Sequence, residues 1–319
     1  MGWLIAVLIA ILVLLLTGLL FAYRSFRVAF RSRGTPGARA QNIYSLPKGA
    51  QYEENREYML SLIAEMDAIP FEPVTITSFD GTKLFGRYYH VQDGAPLHIQ
   101  FHGYHGAALR DFCGGNKIVR EMGCNSLVID QRAHGKSGGR VITFGIKERQ
   151  DCLCWIRYAC TRFGEQIPIF LSGVSMGAAT VLMASELPLP ENVRGILADC
   201  PFSSPEAIIK KVVRDMGLPP RLSFPFVRLG ARLFGHFSVT EASAVQAVKQ
   251  AKVPILLIHG DDDRFVPCEM SKEIAAACKS PVMLETFPGA GHGLSYMKDT
   301  ARYIQVTKEF LARCEEKHS

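Results

Sequence analysis

Gly173-Val174-Ser175-Met176-Gly177 separates two stretches of opposite character. Before it runs PIFLSG (168–173), a strand by length and composition. After it comes AATVLMAS, small and apolar, which predicts a helix over about 177–187. A serine framed by glycines at a strand-to-helix turn is a demanding arrangement. The turn is strained, and larger residues at 173 and 177 would collide with the adjoining strand and helix. It lifts the hydroxyl to the carboxyl edge of a sheet and aims the helix N-terminus at the same spot, where developing negative charge is favoured. Ser175 is therefore a candidate nucleophile; the alternative is a purely structural glycine turn.

The rest of the chain supplies the sheet such a turn needs. VTITSF, Asp80-Gly81 and KLFGRYYH read as a hairpin around a DG turn. Then PLHIQFHG (96–103), SLVID (126–130), VRGILADC (193–200), PILLI (254–258) and a stretch near 281–287 read as short strands. Helical stretches fall at 52–69, near 108–122, 145–163, 268–278 and 297–315. Continuous apolar strands alternating with helices predict a mostly parallel sheet covered on both faces. Residues 201–250 break the alternation with Pro201, Pro205, Pro219, Pro220 and Pro225 and an apolar stretch from Leu222 to Phe237. They read as a helical insertion, a cap over the strand ends.

A nucleophilic serine needs a base and an orienting acid. Gly289-Ala290-Gly291-His292-Gly293 follows one predicted strand, and His259-Gly260-Asp261-Asp262-Asp263-Arg264-Phe265-Val266-Pro267 follows another. His292 is the candidate base. Spacing favours Asp263 as the acid; Asp261 and Asp262 remain alternatives, with turn and cap chemistry as their other reading. His259 reads as packed rather than catalytic. The N–H of Met176 and that of Tyr104, in FHGYHG after an early strand, are the candidate oxyanion donors. His102 and His105 resemble metal ligands in type only, with no third ligand in view. Asp130-Gln131-Arg132-Ala133-His134-Gly135-Lys136-Ser137 lacks the spacing of a phosphate loop and reads as a structural turn in which Asp130 and Arg132 bond to neighbouring loops. Asp199 ends a strand and is a minor candidate for a second acid. No metal or cofactor is called for.

Charge decides the remaining classes. The net charge is +6, from 36 Lys and Arg against 30 Asp and Glu. Residues 1–52 hold no acid and six of the basic residues, Arg24, Arg27, Arg31, Arg33, Arg39 and Lys48, so the remainder is balanced. A neutral body argues against nucleic acid as a partner. Trp3 to Tyr23 is 21 residues without a charge, about 30 Å of helix, with aromatics at both ends. It reads as an uncleaved single-pass anchor of residues 1–23. A cleaved signal peptide is the rival; it fits poorly for want of a basic n-region and a nearby small-residue cleavage site. Arginines just after the span place the body on the cytoplasmic side, and nine cysteines without a pairing pattern suit a reducing compartment. Residues 24–51 read as a basic juxtamembrane segment and linker, and 52–319 as the folded domain.

The motifs FHGYHG, DQRAHGKSGG, GVSMG, HGDDDRFVP and GAGHG occur in order over residues 72–315. The chain thereby resembles the α/β-hydrolase superfamily, within it the serine aminopeptidase-like and monoacylglycerol lipase-like branch. The resemblance implies an eight-stranded, mostly parallel sheet with a helical cap before the acid-bearing segment. The chain departs from HGGG-type loops at Tyr104 and His105, and Ala133 stands where the family often has Gly. The expectation is a membrane-anchored serine hydrolase of carboxylic esters. Its substrate is a small ester or a lipid such as an acyl-glycerol or lysophospholipid, and oligomeric state is open. A peptidase or thioesterase on the same triad is the alternative, and a non-catalytic tethered binding protein a further one.

Overall fold

The computed structural model describes residues 2–32, 34 and 43–316; Arg33, Arg39 and residues 35–42 of the expected linker lie outside the described residues. The chain opens with helix α1 (Gly2–Ala29), which carries the apolar stretch and continues two turns beyond it. Two short helices follow, α2 (Ala50–Glu54) and α3 (Arg56–Asp67), divided at Asn55 where one helix over 52–69 was expected. Then come β1 (Glu72–Thr77), β2 (Lys83–Tyr89), β3 (Leu97–Phe101), α4 (Ala108–Glu121), β4 (Asn125–Asp130), α5 (Glu148–Phe163), β5 (Ile169–Val174), α6 (Met176–Ala184) and β6 (Val193–Asp199). Helices α7 (Pro205–Asp215), α8 (Pro220–Phe234) and α9 (Ala244–Ala247) stand between β6 and β7 (Ile255–Gly260). The chain closes with α10 (Glu269–Ala277), β8 (Val282–Phe287), α11 (Ser295–Lys298) and α12 (Thr300–Glu316).

The strands form one eight-stranded sheet in the order β1-β2-β4-β3-β5-β6-β7-β8. Both pairings of β2 are antiparallel and the others parallel. The apolar runs of β3 to β7 are long enough to cross a doubly covered sheet, and alternate residues serve alternate faces. Leu97, Ile99, Leu171 and Leu257 pack with Trp155 and Ile156 of α5 and Val181 of α6. Phe170, Leu256 and Ile258 face the other way, onto Val306, Phe310 and Cys314 of α12. Helices α3 and α4 share that second face.

A third cluster lies over the carboxyl ends of the strands. It joins Phe26 of α1 and Phe30 just beyond it to Met176 and Met183 of α6, Ile208 of α7 and Phe224 and Val227 of α8. Helix α7 starts sharply because the Ser204 hydroxyl accepts the Ala207 N–H (3.0 Å) with Pro205 at the first helical position. Helix α8 lies along α1, with Phe226 near Gly18 and Phe21, Gly230 on Ala22, and Phe234 on Tyr23 and Phe26. A Cβ at Gly230 would stand 2.3 Å from the Ala22 carbonyl oxygen, so only glycine allows this approach. Beyond α1 the chain joins the body directly: Arg31 bridges Val141, and the Ile142 N–H donates to the Phe30 carbonyl (2.7 Å).

Candidate functional site

The Ser175 turn takes the strained form its glycines imply. Ser175 has φ 55° and ψ −114°, between the last residue of β5 and the first of α6. A Cβ at Gly177 would lie 1.7 Å from the Phe101 carbonyl oxygen, and one at Gly173 would lie 2.3 Å from the Gly177 carbonyl carbon. The Ser175 N–H donates to the Asp199 carbonyl across the sheet edge (2.8 Å). The hydroxyl is thus held by backbone packed on three sides.

His292 lies on the loop after β8. Its Nε2 is 2.9 Å from the Ser175 hydroxyl and its Nδ1 is 2.6 Å from Asp263 Oδ2. Asp263 Oδ1 accepts the N–H groups of Phe265 (2.9 Å) and Val266 (2.8 Å). Burial pushes this carboxyl up, but the hydrogen bonds from His259, His292 and the Val266 N–H outweigh it and hold the pKa at about 2. The neighbouring aspartates are engaged elsewhere. Asp261 accepts the Gly289 N–H (2.6 Å), and Asp262 accepts from Gln51 (2.8 Å) and Arg264 (3.0 Å). Of the three, Asp263 is the one on the histidine. His259 is packed, as expected, with Ser271 at Nδ1 (2.6 Å) and the Val266 carbonyl at Nε2 (2.9 Å).

The loop after β3 reaches the same point. A Cβ at Gly103 would be 3.4 Å from that of Ser175. Tyr104 lines the cavity at Ser175, and its hydroxyl donates to the Ala29 carbonyl at the end of α1 (2.9 Å). Asp111 of α4 accepts the Gly103 N–H (2.9 Å) and pairs with Arg110 (2.9 Å). Burial opposes its charge, yet the Arg110 cation and these bonds keep the carboxyl below its ordinary range. The imidazole of His102 spans the Gly103 carbonyl (2.8 Å) and the Gln131 N–H (3.0 Å), and the His105 N–H donates to His134 (3.1 Å). These histidines pack the loops. The turn after β4 is likewise structural, with Asp130 on Arg87 (2.9 Å) and Arg132 gripping Asp151 (2.6 Å) and Asp80 (2.9 Å).

A cavity of about 410 Å³ opens on Ser175 and His292. Sequence reading missed several of its walls. Pro47 and Lys48 of the expected linker line it. Tyr52 of α2 does too, and its hydroxyl donates to the His292 carbonyl (2.6 Å); burial pushes that phenol's pKa up. Asp199 sits at the floor, its carboxyl raised to about 6 by burial, with Tyr303 donating to Oδ2 (3.1 Å) and no partner on Oδ1 among the described residues. Pro47, Lys48 and Tyr52 carry no local motif, and folding alone brings them to Asp199, which the sequence marks as the end of a strand. Cys200, Asp263 and His292 place ligand atoms within 4.8 Å of one another. Burial drives the Cys200 thiol well above its ordinary pKa, which keeps it neutral, and Asp263 and His292 already bond each other, so the trio is poorly suited to a cation.

Comparison with known proteins agrees with this architecture. Residues 143–318 match the prolyl oligopeptidase family. The Bacillus subtilis (strain 168) protein YqkD is 27% identical over 195 residues, covering 61% of this chain and 64% of its own length. The chain therefore spans less than two thirds of that relative. Human protein ABHD12B is 26% identical over 240 residues, 70% of this chain and 62% of its own. Among solved structures, the Pyrococcus furiosus esterase Pf2001 is similar with a TM-score of 0.63 at 25% identity, over 78% of this chain and 94% of the esterase. The eight-stranded sheet, the helices on both faces and these likenesses together make the fold that of the α/β hydrolases.

Proposed function

We propose that this chain, which belongs to the prolyl oligopeptidase family, is a membrane-anchored serine hydrolase that cleaves carboxylic esters. The observation that carries the reading is the continuous relay from Ser175 through His292 to an ionised Asp263, set at the mouth of a cavity. Ser175 Oγ attacks the ester carbonyl while His292 Nε2 takes its proton. Asp263 steadies the imidazolium and its tautomer. The N–H groups of Met176 and Tyr104 receive the oxyanion, and Asp111 positions the Tyr104 loop through Gly103. His292 returns the proton to the leaving alcohol as the tetrahedral adduct collapses. Water then attacks the acyl-enzyme with His292 as base and releases the acid. Ser175→Ala should cut p-nitrophenyl ester hydrolysis by roughly 10³-fold or more. It should also abolish labelling by a fluorophosphonate probe. Unchanged hydrolysis by the variant sinks the assignment, and a wild-type chain that never labels favours the non-catalytic reading.

The esterase among its structural likenesses favours an ester substrate; the family match favours a second reading, a peptidase on the same triad. A panel of esters graded by acyl length, with a thioester and a peptide amide, separates the two. An acyl-glycerol or lysophospholipid is the substrate we favour, because the site sits beside an apolar anchor. The most apolar window of α1 has mean hydropathy 3.2 and none of it is buried. A signal sequence would be as apolar, but Ala22 and Phe26 of this helix, and Phe30 just beyond it, are buried in the body, which supports retention. The arginines after the span support a cytoplasmic body. Resistance to carbonate extraction and protection of the body from external protease in sealed vesicles test both points.

A further inference from the structure

The last turns of α1 have two opposed faces. Ala22 and Phe26, with Phe30 just past the helix, bury in the body, while Arg24 and Arg27, with Arg31 just past it, line up on the other side around Val28. Arg140, from the loop between β4 and α5 and over a hundred residues distant in sequence, joins them. It is brought there by the bridge of Arg31 to Val141 and by the Ser32 N–H donating to the Arg140 carbonyl (3.0 Å). The four guanidinium groups line one open cavity of about 700 Å³ with Ser32 and Gly34, and among the described residues no carboxylate is on its wall. None of the four forms an ion pair among the described residues.

We propose that this cavity binds the phosphate-bearing headgroup of an anionic phospholipid. The proposal rests on the reading of α1 as a membrane span and goes beyond it. Arginine forks match phosphate oxygens in paired hydrogen bonds, and several forks around one recess select a doubly contacted anion over a zwitterion. The source is a lipid because of what adjoins the recess. Val28 on its wall is 70% exposed, and the face of α1 above it presents exposed Leu16, Leu20 and Phe21. A molecule with its phosphate in the recess lays its acyl chains along that face. Topology signals explain arginines that follow a span; they do not explain Arg140, which lies in the folded body. The cavity lies apart from Ser175, and no residue is shared between the two walls.

The test uses the full chain reconstituted in phosphatidylcholine nanodiscs with a minor fraction of phosphatidylglycerol. Lipid retained after mild detergent extraction is read by native mass spectrometry. The wild type should retain phosphatidylglycerol in preference to phosphatidylcholine. Arg140→Gln should lower that retention roughly tenfold, the loss expected for one charge-assisted contact, while hydrolysis of a soluble p-nitrophenyl ester stays unchanged as a check of folding. Arg27→Gln, on the helix side, should act likewise. Equal retention of the two lipids by the wild type overturns the proposal. So does an Arg140→Gln protein that retains phosphatidylglycerol as well as wild type. Displacement of the lipid by millimolar inorganic phosphate overturns the lipid as source. Carbonate extraction from pure phosphatidylcholine vesicles is run alongside: release there fails the membrane reading itself, independently of lipid charge.

Discussion

Asp199 ends β6 and Asp263 lies in the loop just after the neighbouring β7, and burial acts on both, yet their carboxyls diverge. Asp263 has the Phe265 and Val266 N–H groups and two imidazoles, and stays ionised to about pH 2. Asp199 has one phenol, and burial lifts it to about 6. Asp263→Asn should therefore lower kcat by roughly 10⁴-fold with little effect on ester binding, since the amide disfavours the working tautomer of His292. The acid limb of the wild-type rate profile should not report Asp263, which is charged throughout the working range. For Asp199 the sign reverses. Its folded pKa is raised, so the fold binds the proton more tightly than the unfolded chain, and stability falls as pH rises from about 4 to about 6. The cost above that window is up to about 3 kcal/mol. Asp199→Asn should raise Tm at pH 7.5 by several degrees and change it little at pH 4.5, read by scanning fluorimetry in detergent. Equal shifts at both pH values would refute this account. The spacing in HGDDDRFVP singles out Asp263 because its loop geometry is local. Asp199's raised pKa was not legible, because it comes from burial by segments distant in sequence, which outweighs the opposing bond from Tyr303, a hundred residues away.

Elements show the same division. The Ser175 turn was legible because its requirements are met within five residues. Gly177→Ala should leave almost no folded, active enzyme, since its Cβ meets backbone rather than a movable side chain. The helix over 52–69 was legible, but its start at Ala50 and its division at Asn55 were not: Gln51 and Tyr52 are used for bonds to Asp262 and His292, and they break the apolar periodicity that would have marked them. The cap was visible as a proline-rich interruption, but its docking on α1 was not, because close approach through Gly18, Ala22 and Gly230 is a property of two distant segments together. Gly230→Val should separate α8 from α1. A Tm lower by several degrees and faster proteolysis near 216–222 are the expected readouts, and an unchanged melting curve would contradict the close contact described here. Tyr104→Phe removes the hydroxyl bond to Ala29 (2.9 Å). A loss of about 1 kcal/mol is expected, and a drop in kcat larger than any change in KM would mark a positioning role for that bond.

At the scale of the molecule, the surplus of positive charge sits in a stretch with no acids, followed by a balanced body. In the fold that stretch is part of the body's architecture, since Phe26 and Phe30 complete a core shared with α6, α7 and α8. Deleting residues 2–21 should therefore disturb the body itself. Phe226 loses Gly18 and Phe21 as neighbours, and the exposed leucines of α8, Leu222, Leu229 and Leu233, gain a contiguous bare surface. The shortened chain should self-associate without detergent on size-exclusion chromatography, and a clean monomer would count against it.

The bridge between Arg31 and Val141 and the seat of Ala22 on Gly230 also impose an order on biosynthesis. The helix that leaves the ribosome first can take its final place only after residue 230 has been made. At roughly 5–20 residues per second, about 200 further residues require some 10–40 s. Throughout that interval Ala22 and Phe26 lack their seat on α8, although Phe30 can already meet Ile142 and Phe144. The body therefore completes its packing on α1 late, only once α8 of the insertion between β6 and β7 has been made.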